Sequence, residues 1–586
     1  MTRRVPSLPD TPKDRVQRRT AAVLLIGIGV CLLFLGGRLI HINTAMRGRL
    51  LSIASTQYRS RSTLPARRGM IFDCRGRVVA ATKNVSDVFV DPSRVEDVDD
   101  LAEALAARVN LPATDVAAKI RSRAGRRYVL IAPRVDEVTA DAVRAMKHRA
   151  VGLSDRALRT YPLGDSMGHV LGFVGRDGAG LEGIELDHDQ HLRGRAGRRI
   201  TIRDARRRAL YLSSAHAPEP PIDGGHLVLT LDAEIQRIAE QALAETVAQF
   251  EAKSAVAIVM DPRSGDLLAM AGVPSFDPNH AGTVSPETRR NRAVTDTTEP
   301  GSAFKPFIIC AALEGGFVST TEQIDCHDGV HYFGRRRVTD TSPHGLLDLK
   351  GILTHSSNIG MGIIAHRMGN EVLHETARRF GFGAPTGIDF PGEAPGFVRS
   401  LHRWTSYSTN AVCIGYEISV TPLQLVTAFA AIVNDGLWVQ PRLVKTLLSA
   451  DGEPMRQAEP PRIERRVASP ATARYVAGEL MVSVVENGGG RRAQVGPYKV
   501  LGKTGTAKLP YRDRAGYEPG AYVSTFVGAA PASYPQVVVL VMVRRPNAAI
   551  GYYGSLVAAP AAGKILAATL AYLDVPADEQ VATAGL

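Results

Sequence analysis

The chain has little that would staple its fold covalently and nothing that marks a nucleic-acid binder. Its 586 residues include only five cysteines, Cys31, Cys74, Cys310, Cys326 and Cys413. Their number is odd and no C-x-x-C spacing occurs, which excludes a disulfide framework or a zinc ribbon as the organising device. Cys326-His327-Asp328 sets metal-ligating residue types side by side, but neighbours in one loop do not converge on one ion, so no metal and no cofactor is expected. There is no internal repeat, no zinc-finger spacing, no aromatic-and-basic RNA motif and no heptad with a basic region. The formal net charge of +13, carried largely by arginines spread along the chain, therefore implies a basic surface working near anionic lipid or polymer, and no nucleic acid partner.

Long hydrophobic runs are also scarce. The sequence offers one, residues 21–37, which continues past Arg38 to residue 42. A helix of about 20 apolar residues spans the hydrocarbon of a bilayer, and Arg38 near its end can snorkel to the interface. The run exceeds a signal-peptide core and no small-x-small cleavage site follows, so an uncleaved signal anchor is expected over residues 21–42. Arg3, Arg4, Lys13, Arg15, Arg18 and Arg19 favour a cytoplasmic tail over residues 1–20, with the body of the protein on the far side of the inner membrane, in the periplasm. No other segment is expected to span.

Residues 43–225 mix short apolar strands, glycine turns and arginines. Arg68-Gly69-Met70-Ile71-Phe72-Asp73 with Gly76 reads as strand, turn, strand, and residues 101–109 read as an amphipathic helix. Glu182 and Glu185, three apart beside glycines, read as structural carboxylates. Residues 217–225, rich in Pro and Gly, mark a linker or domain edge. Beyond it Asp232 is placed to cap a helix carrying Ile235, Ile238, Ala242 and Leu243 on one face. Residues 255–260 and 267–273 read as a hairpin of buried strands, with further strands near Val500, at 522–528 and at 537–543, and a last helix at 557–573. This order implies an α+β fold, a mixed sheet sandwiched by helices over residues 226–575, with a disordered tail over residues 576–586.

Three short strings then carry chemistry: Ser302-Ala303-Phe304-Lys305, Ser356-Ser357-Asn358 and Lys503-Thr504-Gly505. Glu299-Pro300-Gly301 breaks the chain just before Ser302, and an all-apolar stretch follows, so Ser302 is expected at a helix N-terminus with Lys305 one turn on. A serine hydroxyl needs a base within hydrogen-bond reach, and burial beside a positive helix end disfavours the ammonium of Lys305. In isolation the same two residues read as a plain N-cap and a solvated charge. Ser356 can shuttle a proton and Asn358 can hold a substrate amide; alone, that string is equally a helix cap. Lys503, Thr504 and Thr506 offer a cation and hydroxyls to a carboxylate at a strand end or edge, and Gly505 admits substrate backbone. The backbone N–H groups of Ser302 and Thr506 are candidates for an oxyanion hole. Order, context and spacing together point to acyl transfer through a serine ester, the association the triple is known for.

With these motifs, and with Arg68-Gly69 to Gly76, Gly381-Phe382-Gly383, Thr386-Gly387-Ile388 and Thr421-Pro422-Leu423-Gln424, the chain resembles the class B penicillin-binding proteins over nearly its whole length. The resemblance implies a single transmembrane helix, an elongated pedestal or dimerisation-like domain over residues 43–225, and a transpeptidase domain of β-lactamase-like fold over residues 226–575. It implies acylation of Ser302 by the D-Ala-D-Ala end of a peptidoglycan stem peptide, release of D-alanine, resolution by an amine of a neighbouring stem, and trapping by β-lactams. Within the class, the length, the Glu before Pro300-Gly301 and the lack of C-terminal repeats look most like the septal division enzyme, with the elongation enzyme as the alternative. Cys74, Glu417 and Ala562 depart from the family's usual residues. A class A β-lactamase would need a Glu-x-x-x-Asn loop, which residues 390–410 lack, and a glycan-polymerising domain leaves no motif. Polymerisation is thus expected of a partner, by resemblance a polytopic membrane glycosyltransferase. A β-lactam sensor would need a signalling domain that is not seen.

Overall fold

The structure is a computed structural model that describes residues 12–203, 209–211, 219–455, 460–511 and 513–578. The tail expected over residues 1–20 lies outside them up to residue 11, as do residues 217 and 218 of the linker and the C-terminal tail from 579. The chain divides into two compact units, one formed by residues 1–66 and 195–222, the other by 67–194 and 223–586.

In the first unit a 33-residue helix, Pro12–Thr44, holds the apolar run. At 1.5 Å per residue it is about 50 Å long, more than the roughly 30 Å of a bilayer's hydrocarbon. Its apolar side chains are uncovered, Leu25 at 68% and Phe34 at 75% exposure, as suits a helix whose solvent is lipid. The helix is a candidate single membrane span. A second helix, Arg47–Tyr58, leads into an antiparallel sheet of Arg59–Leu64, Gly197–Arg203 and Ala209–Tyr211.

The second unit is built on two large sheets, with four two-stranded ones beside them among the described residues. The larger core belongs to a five-stranded antiparallel sheet, in the order Leu267–Val273, Ser254–Met260, Val537–Arg544, Tyr517–Ala530, Leu501–Pro510. Side chains alternate across a strand, and the sequence uses both faces. Ala255, Ala257, Val259, Val539 and Val541 turn to a core covered by the helices Ala233–Gln249 and Gly554–Tyr572. Val256, Ile258, Val538 and Leu540 turn to the opposite core, which includes helices Lys305–Glu314 and Pro422–Val433. Both faces are apolar because both are covered, giving the expected sandwich. Asp232 caps the first of these helices, accepting from the backbone of Glu234 and Ile235.

The second sheet runs Val444–Leu448, His226–Leu229, Ile71–Phe72, Val78–Val90, Val129–Val135, with Val151–Thr160 also on Val78–Val90. It runs across the domain boundary expected at residue 225. His226–Leu229 pairs in parallel with Ile71–Phe72 on one side and antiparallel with Val444–Leu448 on the other. Residues 67–194 therefore share a sheet and a core with the C-terminal body. The joint is buttressed by a buried cluster in which Arg68 and Arg159 both pair with Glu185, each at 2.6 Å. Cys74 directly precedes Arg75, and Arg75 and Arg77 reach Asp232 at 2.7 and 2.5 Å, so the turn where the family carries a further arginine still has its cations.

Two further expectations change. Helix Gly554–Tyr572 is long and apolar enough to cross a membrane, contrary to the expectation of a single such segment, but 61% of it is buried against the sheet. The C-terminal tail does not begin at Pro576, because Asp578 is buried and accepts from the backbone of Lys499 and Ser533 at 2.6 and 3.1 Å.

Candidate active site

Ser302 lies in a single tight turn, Gly301–Phe304, that feeds helix Lys305–Glu314. It thus precedes the α-helix instead of opening it. Gly301 has φ 55°, in the left-handed region that favours glycine, which lets the chain leave Pro300 and turn Ser302 outward. Behind the turn Phe304, Phe307, Phe380 and Phe382 are fully or almost fully buried, with ring centroids 4.9–5.6 Å apart. Pro306 sits in the first helical turn, where its missing N–H costs no intrahelical bond.

The lysine of this turn is fully buried, and its Nζ donates to the carbonyl of Ser356 at 2.6 Å, to Ser356 Oγ at 3.1 Å and to Asn358 Oδ1 at 2.8 Å. From the edge strand, Lys503 Nζ donates to the same Ser356 Oγ at 3.3 Å and to the carbonyl of Thr504 at 3.0 Å. The three strings, dispersed over two hundred residues, thus meet at one hydroxyl. Burial lowers the pKa of Lys305 to about 8, against the smaller opposing pull of Cys413 and Asp340. Burial also puts Lys503 well below the ordinary lysine range, and the nearby charge of Lys305 adds to it. Two ammonium groups bonded to one hydroxyl repel, so the pair favours holding a single proton.

Strand Leu501–Pro510 is the last strand of its sheet, with Tyr517–Ala530 on one side only. Lys503 is in its interior and not at its end. Gly505 faces the serine turn, where a Cβ would come within 2.8 Å of the Pro300 carbonyl, so the strand can press against the turn only with glycine there. Alternation turns the hydroxyls of Thr504 and Thr506 the other way. Thr506 Oγ1 accepts from the backbone of Gly554 at 3.0 Å. The structure therefore joins Lys305, Ser356, Asn358 and Lys503 by hydrogen bonds, sets Ser302 and Gly505 against each other through the turn, and keeps Thr504 and Thr506 out of that network.

Two groups outside the three strings hold the site together, Asp340, which sequence reasoning missed, and Glu299, which it singled out only as a break in the chain and a subclass marker. Asp340 accepts from Ser357 Oγ and from the backbone of Asn358 and Ile359, fixing the start of helix Asn358–Arg379. Ser356 just before it has φ 55°. Asp340 is about eighteen residues upstream with no local pattern, so nothing in the string announces it. Glu299, beside the serine turn, accepts from Tyr517 Oη and from the backbone of Glu417, each at 2.9 Å, and burial raises its pKa. Glu417 has φ 60°, which explains why glycine is usual there. Its carboxylate takes a hydrogen bond from Ser408 at 2.8 Å.

Comparison with known proteins gives matches across this whole arrangement. Residues 255–567 match the family described as penicillin binding protein transpeptidase domain, and residues 63–229 match the penicillin-binding protein dimerisation domain. The chain is 32% identical to the probable peptidoglycan D,D-transpeptidase PenA of Neisseria meningitidis over 98% of this chain and 96% of that protein. It is 31% identical to the peptidoglycan D,D-transpeptidase FtsI of Escherichia coli, over 87% of this chain and 84% of that one. Among solved structures, penicillin binding protein 3 of Mycobacterium tuberculosis in complex with aztreonam superposes with a TM-score of 0.68 at 28% identity, covering 88% of this chain and 98% of that chain.

Proposed function

Since the chain belongs to the class B penicillin-binding proteins, the peptidoglycan D,D-transpeptidases, we propose that it crosslinks stem peptides through an ester formed on Ser302. The meeting of Lys305, Lys503 and Asn358 around Ser356 is the observation that supports this most. Ser302 Oγ attacks the carbonyl of the penultimate D-alanine while Lys305 Nζ takes its proton. The C–N bond breaks, and the departing D-alanine nitrogen receives a proton relayed through Ser356 Oγ from the lysine pair. The backbone N–H groups of Ser302 and Thr506 steady the developing oxyanion. An amine of a second stem then attacks the ester, gives up a proton along the same route and restores the Ser302 hydroxyl. The substrate's terminal carboxylate lies along the edge strand at Lys503, Thr504 and Thr506, with Gly505 admitting its backbone. Its negative charge favours the ammonium form of Lys503 that burial disfavours in the empty site.

The helix Pro12–Thr44 anchors this chemistry in the inner membrane, with the N-terminus in the cytoplasm and the catalytic unit in the periplasm. The anchor contacts membrane lipid and offers a docking element to a polytopic glycosyltransferase that supplies the glycan strands. Intact-mass measurement after exposure to penicillin tests the nucleophile: wild type gains one drug mass and Ser302→Ala gains none. Equal adducts in both reject Ser302. The role is septal, by the Glu299-Pro300-Gly301 sequence. Depletion then yields filaments with unfinished septa, whereas round or swollen cells assign it to elongation.

A further inference from the structure

A two-stranded hairpin, Val330–Phe333 with Arg336–Thr339, projects beside the site and has two unlike faces. Its inner face is fastened. Phe333 stacks on His366 with centroids 4.8 Å apart, His331 stacks on His327 at 4.2 Å, and Val338 packs against the main core. Arg336 donates to the Tyr407 carbonyl at 2.7 Å and lies over the Tyr407 ring. The outer face carries Val330, Tyr332, Arg337 and Thr339, all exposed, with Tyr332 directly across from Arg337. Arg335, also exposed, forms the turn.

This outer face is uncompensated. Residues 329–339 contain three arginines and no acid. Neither Arg335 nor Arg337 makes a hydrogen bond or ion pair to a described residue. Tyr332 is 60% exposed, so a ring and a guanidinium stand paired across two strands in solvent. The face is also coupled to the site. The Thr339 carbonyl accepts from Asn358 Nδ2 at 3.1 Å, and the next residue, Asp340, fixes the backbone of Asn358. Arg337 is two residues back along the strand, about 7 Å from that contact. An extended peptide advances about 3.3–3.6 Å per residue. A group two to four residues from a carbonyl reacting at Ser302 therefore falls within range of the face.

We propose that Tyr332, Arg335 and Arg337 form a subsite for a free side carboxylate of a peptidoglycan stem, holding the stem's body while its reactive end is at Ser302. The inference rests on the transpeptidase reading above. The Arg337 guanidinium offers paired N–H donors that match a carboxylate, and the exposed Tyr332 ring offers a flat apolar support for the peptide beside it. The carboxylate belongs to either the donor or the acceptor stem, and the chemistry of recognition is the same.

The test uses the full-length chain in detergent and two synthetic stems ending in D-Ala-D-Ala, one with a free side carboxylate and one with the carboxamide. The donor arm follows D-alanine release, and the acceptor arm follows crosslinked product with the variation confined to the amine-bearing stem. Wild type should prefer the carboxylate stem by about tenfold in kcat/KM in one arm, the magnitude of a charge-assisted hydrogen bond. Arg337→Glu should abolish or invert that preference, Arg337→Lys, which keeps the charge and loses the paired donors, should keep part of it, and added salt should weaken it in wild type. Arg335→Glu at the turn gives an independent variant should Arg337→Glu fold poorly. Equal use of both stems by wild type, or an unchanged preference in Arg337→Glu and Arg335→Glu, overturns the subsite and leaves acyl transfer standing. Failure of wild type to release D-alanine from either stem or to bind penicillin at Ser302 overturns the transpeptidase reading, and the subsite with it.

Discussion

At the scale of single residues, the Ser356 hydroxyl is bonded to two buried amines, and their protons set how the site behaves with pH. Lys305, lowered to about 8 by burial, is mostly ammonium at pH 7, with roughly a tenth in the basic form. Acylation by penicillin should therefore accelerate as pH rises, by roughly eightfold between pH 7 and 8.5, and level off above. A stopped-flow profile flat from pH 6 to 9 would remove Lys305 as the base. The same shift acts on stability. Between about 8 and the ordinary value of 10.5 the unfolded chain holds a proton that the folded chain has shed, so stability from this group rises with pH across that window. Below about 8 the cost of the buried ammonium is present in full. The place of Lys305 in this network was legible because its string has fixed spacing to a serine. That of Asp340 was not, because it acts across a loop on Ser357 and Asn358 and has no spacing of its own.

Among the elements, those with both faces or one full face buried were read well. The strands Ser254–Met260 and Leu267–Val273 are unbroken apolar runs bounded by a Pro-Gly-bearing turn, and a buried strand has no other way to look. The strand expected after Gly76 begins at Val78, but its length to Val90 was hidden because only its ends are buried, at Val79, Ala80, Val88 and Val90, while Lys83 and Asn84 in its middle are exposed. Strand Leu501–Pro510 was read too short because Gly502 and Gly505 argue against a strand interior. Both are there for proximity. A Cβ on Gly502 would come within 2.6 Å of the Phe526 ring, and one on Gly505 would strike the serine turn. Here the demands of packing and of the site override local propensity. Ala562, where the family carries an aromatic, is fully buried on helix Gly554–Tyr572.

For the molecule as a whole, the shared sheet means that residues 226–575 do not make a separable body. A single core joins Ile71, Val79, Val170, Leu171, Ile184 and Leu192 to Leu227, Leu229 and Leu231. Burying each large side chain is worth about 1.5–3 kcal/mol, so removing the first six forfeits on the order of 10 kcal/mol. Whole domains are stable by about 5–15 kcal/mol. A fragment of residues 226–575 is expected to unfold or aggregate where a chain lacking only residues 1–42 melts cooperatively. Equal melting midpoints by circular dichroism would show that the sheet is no structural joint. Sequence alone did not reveal this, because two short paired segments far apart in the chain, Ile71–Phe72 and His226–Leu229, carry no mark of being neighbours. Helix Gly554–Tyr572 bears on biogenesis. Under the topology proposed above, the body is threaded across the membrane, and a segment this apolar is a place where export can stall. Seven alanines with Pro560, Gly563 and Lys564 keep it milder than the N-terminal anchor, and four of those alanines, Ala558, Ala559, Ala561 and Ala562, lie buried in the core. Replacing those alanines with leucine would give the translocation machinery a second stop and leave the closing helix in the bilayer, on the wrong side of its own fold.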